Sequence, residues 1–497
     1  MTDFDLAIVG GGINGAGIAR DAAGRGLKVL LVEQNDLASG TSSASTKLIH
    51  GGLRYLEHGW FSLVREALGE REVLLRMAPH LIRPMRFVLP VEPGMRPSWL
   101  LRLGLFIYDH LGGRGLLPPT RSIDLARDPI GAPLRVQYRW AFEYSDCATD
   151  DCRLVVLNAV DAAARGARVR TRTRCLSAER GREWTIVLEA RGRREVATAA
   201  VLVNATGPWI GDFARSVLHE ADPEHLRLDK GSHIVVRRLF QHDRGYVLQH
   251  SDRRIVFALP YEQDFTLVGT TDSQFSGNPD RVAPAQDEIG YLCAVVNEHF
   301  RAGIAPADVV WAFAGVRSLY DDGSKEPQDT MRDYVLALDA PPGKAPIITV
   351  YGGKITTYRR LAEAALERLA PFVGKRPAWT KGSHLPGGDF PIDGVERLVM
   401  QARESWPFLG DAQARRLVEA YGTRLRRILG KAKTADDLGP RLGADLSGAE
   451  VLYLMQHEWA QTADDVLWRR SKLGLRVSAP ERGRLAKFKT DAVGRAV

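Results

Sequence analysis

The residues of this 497-residue chain that could do chemistry gather in short stretches. Near the N-terminus, "LAIVGGGINGAGIARDAAGRGLKVLLVE" carries Gly10, Gly12 and Gly15 as G-x-G-x-x-G, with Asn14 inside the motif and Glu33 closing the segment. Glycines at this spacing permit a tight turn and close approach of a ligand. The free N–H groups of the following helix can then meet a pyrophosphate. Glu33 is suited to accept hydrogen bonds from ribose hydroxyls. A second stretch, "STKLIHGGLRYLEHG", sets Lys47, His50, Arg54 and Tyr55 around Gly51-Gly52, just after the small-residue run "ASGTSSAST". Regular elements avoid adjacent glycines, each of which costs roughly 0.5–1 kcal/mol against Ala. Polar and basic side chains around such a break point to something approaching the backbone there.

These motifs need elements to position them. Leu6–Val9 reads as a central parallel strand, "AGIARDAAGRG" as a helix of small residues, and Lys28–Val32 as a second strand ending at Glu33, twenty-three positions after Gly10 (33 − 10). Strand, helix, strand and acid in register give dinucleotide binding. Further along, Val201–Asn204 reads as a strand ending in the small residues Ala205-Thr206-Gly207. "APIITVYGG" reads as another, ending in Gly352-Gly353 and opening the helix "KITTYRRLAEAALERL". Sheet segments that all end in small residues, separated by about 150–190 positions, describe a fold the chain leaves and re-enters. That favours a long cofactor such as FAD over a self-contained NAD half. A helix start at Gly353 would turn its positive dipole end toward the flavin.

Composition bounds the rest. The length suggests two to four domains, and 45% hydrophobic with 26% charged residues is ordinary for a globular protein. A net charge of +8 favours an anionic partner: a phosphorylated metabolite, an acidic lipid surface or nucleic acid. A nucleic-acid binder needs a basic stripe with interleaved aromatics, and none stands out, so no nucleic-acid partner is expected. Cys147, Cys152, Cys175 and Cys293 lack paired CxxC spacing, so neither a metal site nor a disulfide framework is expected. "MTDFDLAIVG" runs straight into a strand, so no signal peptide is expected. No stretch has the ~18 consecutive apolar residues of a spanning helix. The nearest, "RPSWLLRLGLFIYDHLGGRGLLP" from Arg96 to Pro118, suits either a membrane interface or a buried core helix. From about 211 to 345 the runs are short and β-branched or aromatic. After about 380 apolar residues fall at helical spacing, and Thr462-x-x-Asp465 reads as a capping box.

With "GGGINGAGIARDAAGRGL", "SSASTKLIHGGLRYLEH", "FEYSDC", "VNATGPW", "KGSHIVV", "GTTD", "YGGKITTYRRLAE" and "HEWAQTADDVLWRRSKLGL", the chain resembles the aerobic, FAD-dependent glycerol-3-phosphate dehydrogenases from residue 4 to about 475. The resemblance implies an α/β plus α architecture. This comprises a Rossmann-like FAD-binding domain of the D-amino-acid-oxidase type, an antiparallel-sheet substrate domain and a C-terminal helical domain. The expected boundaries give 1–80, 151–210 and 346–380 to the FAD domain, and 211–345 to the substrate domain. They give 390–497 to the helical domain, and make 81–150 a substrate-domain or membrane-contact insertion. The implied reaction oxidises sn-glycerol 3-phosphate to dihydroxyacetone phosphate, with electrons passed to membrane quinone. The implied setting is a homodimer held peripherally on an anionic membrane surface, at the cytoplasmic face of the inner (plasma) membrane.

Such a reaction requires a phosphate clamp, a base for the hydroxyl proton, and C2 facing the flavin. Guanidinium groups bind two phosphate oxygens at once, which makes Arg54, Arg317, Arg332 and Lys354 the substrate candidates, with Tyr55 as a pocket cover and Thr270 beside them. Imidazole is the usual base near neutral pH, so His233 is the expected base and His50 a flavin-side contact, with Arg317 stabilising the alkoxide. The flavin itself is expected against Gly10, Gly12, Asn14, Gly15 and Glu33, and against Thr41, Ser42, Ser45, Lys47, Gly51 and Gly52. Ala205, Thr206, Gly207, Gly353, Lys354 and Ile355 complete its expected contacts. Three rivals share parts of this pattern: an oxidase, using oxygen or acting on an amine or amino acid; a flavin-dependent tRNA-modifying protein; and a non-catalytic FAD-binding protein docked on membranes. An amino-acid substrate needs one arginine for its carboxylate, and the surplus of cations here favours phosphate.

Overall fold

A computed structural model describes residues 2–92, 97–112, 115–220, 226–252, 254–321 and 333–494. Its first sheet has eight strands. Phe4–Val9 lies at the centre, parallel to Val29–Val32 on one side and Arg193–Asn204 on the other. Ile347–Tyr351 extends the parallel set, Val335–Asp339 adds an antiparallel edge, and Arg168–Arg170 closes the far side. The run "VLLV" of Val29–Val32 is buried at every position, as a strand covered on both faces must be. Helices Ile13–Gly24, Asp151–Ala164 and Tyr358–Val373 supply one cover, sharing a core with the sheet. Central strands end together at Val9, Val32 and Asn204, so the small-residue turns that follow line one edge, where doubly wound sheets bind ligands.

The second sheet has ten strands. Its long pair, Leu226–Arg237 against Val309–Tyr320, is antiparallel and sets Gly231 opposite Gly315 and His233 opposite Phe313. Ile82–Pro90 and Trp140–Thr149 belong to this sheet, so much of 81–150 is part of the substrate domain. Leu48–Ile49, within the stretch "STKLIHGGLRYLEHG", pairs with Cys147–Ala148 and joins the same sheet. That loop therefore connects the first sheet's layer to the second sheet.

A separate apolar core organises the C-terminal helices, among them Val395–Ser405, Asp411–Tyr421, Gly448–His457 and Ala463–Arg469. The capping box is formed: Thr462 Oγ1 accepts from Asp465 N at 3.1 Å, and Asp465 Oδ2 accepts from Thr462 N at 2.9 Å. All four cysteines are buried and unbridged.

Two expectations change. Val335–Asp339 belongs to the first sheet, so the expected boundary at 345 falls after a strand of that sheet rather than before it. The helix expected to open at Gly353 begins at Tyr358. Gly352 and Gly353 both have positive φ, and Thr356 turns its hydroxyl to accept from His50 N at 3.2 Å, so the intervening residues form a turn. The segment read as either interface or core is a helix, Ser98–Leu111, with one buried and one exposed apolar face. Leu105 and Tyr108 are buried, while Trp99, Leu100, Leu103 and Phe106 are exposed. Its expected flanks, Arg96 and Arg114, lie outside the described residues.

Candidate active site

One cleft of about 680 Å³ runs along the strand ends from Glu33 to Lys354. At the Glu33 end, the G-x-G-x-x-G turn lies against the sheet: a Cβ at Gly15 would stand 1.9 Å from Gly10 O, so only glycine fits. Glu33 accepts from Gly11 N and Asn35 N, both at 2.7 Å, and burial raises its pKa. Ser42 Oγ accepts from Ile13 N at 3.0 Å, covering the helix start that would face a pyrophosphate. Asn14 Nδ2 donates to Gly352 O at 3.1 Å and leaves its Oδ1 buried without a partner among the described residues. Ala205, Thr206 and Gly207 line the same wall.

The other end gathers the reactive groups. His50, Tyr55, His233, Thr270, Arg317, Lys354 and Ile355 all line it. Arg317 donates to Asp272 Oδ1 at 3.0 Å. A Cβ at Gly231 would stand 2.6 Å from both Arg317 Nη2 and Thr270 Oγ1, so the glycine opposite the arginine strand makes room for the guanidinium. Lys354 Nζ sits 3.8 Å above the Tyr55 ring and is buried without a hydrogen-bond partner among the described residues. His233 is 1% exposed; its Nε2 lies 3.0 Å from Thr46 Oγ1, and its ring stacks on Phe313 at 4.9 Å. Burial, reinforced by the charges of Lys47 and Arg317, pushes its pKa down to about 3 and keeps it neutral.

Some expected residues lie elsewhere. Arg54, on the short turn Leu53–Leu56, is not a lining residue, although its neighbour Tyr55 is. Arg332 is outside the described residues. Lys47 does not line the cleft: it is buried beneath, with Nζ donating to Asp151 Oδ2 at 2.8 Å and to Ser43 O at 3.0 Å. Ser45 is tied to the same carboxylate, its Oγ donating at 2.8 Å. Gly51 and Gly52 stand behind the lining, where Tyr108 OH accepts from Gly51 N at 2.7 Å and bonds Asp146, itself paired with Arg71. Thr46, Asp151, Phe313 and Tyr108 were missed by sequence reasoning. Each acts through a partner far along the chain, as with Thr46 and His233, 187 positions apart, and only the "SDCATDD" run carried a local sign of charge.

FAD fits these residues. The glycine turn and Glu33 suit an adenosine diphosphate, the buried, unpartnered Asn14 Oδ1 adds an acceptor beside that turn, and the unpartnered Lys354 Nζ provides a donor at the other end.

Residues 5–359 match the FAD dependent oxidoreductase family, and residues 378–484 match the C-terminal domain of alpha-glycerophosphate oxidase. A glycerol-3-phosphate dehydrogenase of Pseudomonas aeruginosa is 52% identical, covering 98% of this chain and 94% of the relative. A D-erythritol 1-phosphate dehydrogenase of Brucella abortus is 48% identical, covering 97% of each. Among solved structures, the glycerol-3-phosphate dehydrogenase of Bacillus halodurans complexed with FAD superposes with TM-score 0.73 at 25% identity, over 99% of this chain and 94% of that one. With both family models matched in order and the cleft shaped for FAD lying within the first, the chain belongs to the FAD-dependent oxidoreductases of the glycerol-3-phosphate dehydrogenase family.

Proposed function

We propose that this enzyme oxidises sn-glycerol 3-phosphate at C2 to dihydroxyacetone phosphate. The observation that carries the reading is the convergence of Arg317, Lys354, His50 and His233 at one end of the cofactor cleft. FAD, when bound, accepts the hydride from C2. Arg317 and Lys354 hold the phosphate, and the guanidinium's second role is to favour the alkoxide as the hydroxyl proton leaves. His233 is neutral and so has a lone pair to offer, but a conjugate acid with a pKa of about 3 makes it a weak base. Proton acceptance therefore falls to His50, which lines the cleft, while His233 and Thr46 orient the substrate hydroxyl. Tyr55, stacked on Trp60 at 5.7 Å, covers the pocket and excludes water.

The helix Ser98–Leu111 supports delivery of the electrons to membrane quinone. No helix of the described residues is long and apolar enough to cross a membrane. Yet Trp99 is 67% exposed and Phe106 59%, with Leu103 between them, and Phe61 on the neighbouring helix is exposed as well. An apolar face of this size suits insertion into one leaflet, and the +8 net charge suits anionic headgroups. The test is anaerobic reduction of the FAD-loaded protein by sn-glycerol 3-phosphate and D-erythritol 1-phosphate in parallel. Faster reduction by the three-carbon substrate supports the reading, and faster reduction by the four-carbon one transfers it to that polyol phosphate.

A further inference from the structure

One short segment of the C-terminal domain reaches the reactive end of the cleft by two separate routes. The first is ionic. Lys472 Nζ, buried, lies 3.4 Å from Asp151 Oδ1, 3.1 Å from Cys152 Sγ and 3.7 Å from Asp150 Oδ1. Asp151 Oδ2 in turn accepts from Ser45 Oγ and Lys47 Nζ, both at 2.8 Å. The residue between those two, Thr46, is the partner of His233. The second route is aromatic. Trp468 packs tilted against Trp311 with ring centroids 4.6 Å apart, Trp311 tilted against Phe313 at 4.6 Å, and Phe313 stacks on His233 at 4.9 Å. Both routes end on the Thr46–His233 pair, one from each side.

The segment is itself clamped. Arg470 donates to both oxygens of Asp36 at 2.9 and 3.0 Å, and Arg153 binds Glu458 and donates to Ala420 O at 2.9 Å. A Cβ at Gly474 would stand 2.5 Å from Trp468, so the indole is packed from behind. The ionic node is charged on both sides. Burial disfavours the Asp151 carboxylate, but Lys47 and Lys472 outweigh it and hold its pKa well below the usual range. Burial likewise disfavours the Lys472 ammonium, and Asp150, Cys152 and Asp151 outweigh it. A carboxylate buried between two ammonium groups has one geometry in which all its partners are met, so it fixes what it holds.

We propose that Lys472 and Trp468 are positioning residues for flavin reduction: the ammonium fixes Asp151 beneath the loop carrying Ser45, Thr46 and Lys47, and the indole fixes the ring stack that ends on His233. The C-terminal domain thereby sets the geometry of a site whose lining it does not supply. The proposal rests on the substrate-oxidation reading above. Rapid-mixing reduction of the FAD-loaded protein by sn-glycerol 3-phosphate tests it, with visible circular dichroism of the bound flavin recorded before mixing. Trp468→Leu keeps apolar volume and ends the stack. It is expected to slow the limiting reduction rate about tenfold, with substrate affinity changed less than about twofold, because small misplacements act on the reacting geometry rather than on binding. The flavin dichroism should change with it, and Trp468→Phe should restore most of both. Lys472→Met is expected to show the same pattern with weaker FAD retention. Should Lys472→Met fail to fold, the Trp468 pair decides. FAD-loaded Trp468→Leu with wild-type rate and unchanged dichroism overturns the proposal. If the wild-type flavin is not reduced by this substrate, the functional reading fails instead, and the dichroism still judges the positioning.

Discussion

His233 and His80 are both 1% exposed, and both are held neutral, with pKa values pushed down to about 3 by burial first. His80 has neither ring nitrogen bonded among the described residues and packs against Phe390 and the Gly387 turn. The linkage has a definite sign. The unfolded chain takes up protons on both rings as pH falls through about 6.5, while the native state takes them up only near 3. Stability is therefore full above pH 6.5 and falls below it, by about 1.4 kcal/mol per pH unit for each ring, until the native values are reached. Glu262, raised to about 7 chiefly by burial, works with the opposite sign over the same interval, so the histidine share is read as a difference between proteins. From pH 7 to pH 5 the wild type should lose more stability, or gain less, than His80→Leu, by about 1.4 kcal/mol per pH unit below 6.5, measured from denaturant midpoints. Parallel pH profiles for the two proteins would contradict the assignment. The same depression predicts that His233 contributes no ionisation to flavin reduction between pH 5 and 8. His233→Asn should therefore leave the pH profile of flavin reduction between pH 5 and 8 unchanged in shape. Roles at this scale were only partly legible. "LIHGG" and "KGSHIVV" marked both histidines, but burial of His233 under Phe313 depends on a strand pairing that no local pattern reveals.

At the scale of elements, the first β–α–β unit was read nearly whole, because glycine spacing, a small-residue helix and a closing acid are all local signals. Gly15→Ala should test its consequence: the added methyl meets Gly10 O, the turn opens, and the purified protein should hold FAD at well under half occupancy by the ratio of visible to ultraviolet absorbance. A fully yellow variant would show that the turn does not carry the pyrophosphate. The helix Ser98–Leu111 was ambiguous for a physical reason: its sequence holds both a buried and an exposed apolar face, and hydropathy alone cannot separate them. The structure does, with Leu105 fully buried and Phe106 exposed. The triple change Trp99→Ser, Leu103→Ser and Phe106→Ser should release the protein from anionic vesicles while reduction by substrate persists. Leu105→Ser should instead destabilise, by about 2–5 kcal/mol as for other large core truncations. Unchanged vesicle binding by the triple variant would place the docking face elsewhere.

For the whole molecule, the order of domains was legible and their interlocking was not. Composition shifts near 211 and 380 marked the change from sheet to helix. Nothing along the chain announced that Leu48–Ile49 would join the second sheet, or that Lys472 would sit under the flavin loop 321 positions from Asp151. Long-range pairings of buried charge are set by tertiary packing. The central claim is that this assembly spends phosphate binding on positioning C2 against the flavin. Its most direct test is the anaerobic bleaching of the visible flavin band by sn-glycerol 3-phosphate and by glycerol at equal, saturating concentration. The account predicts full reduction by the phosphate ester, at a limiting rate at least about 100-fold above that with glycerol, since remote binding energy then appears in turnover as well as affinity. Equal limiting rates with the two substrates, or no reduction by the phosphate ester, would contradict it.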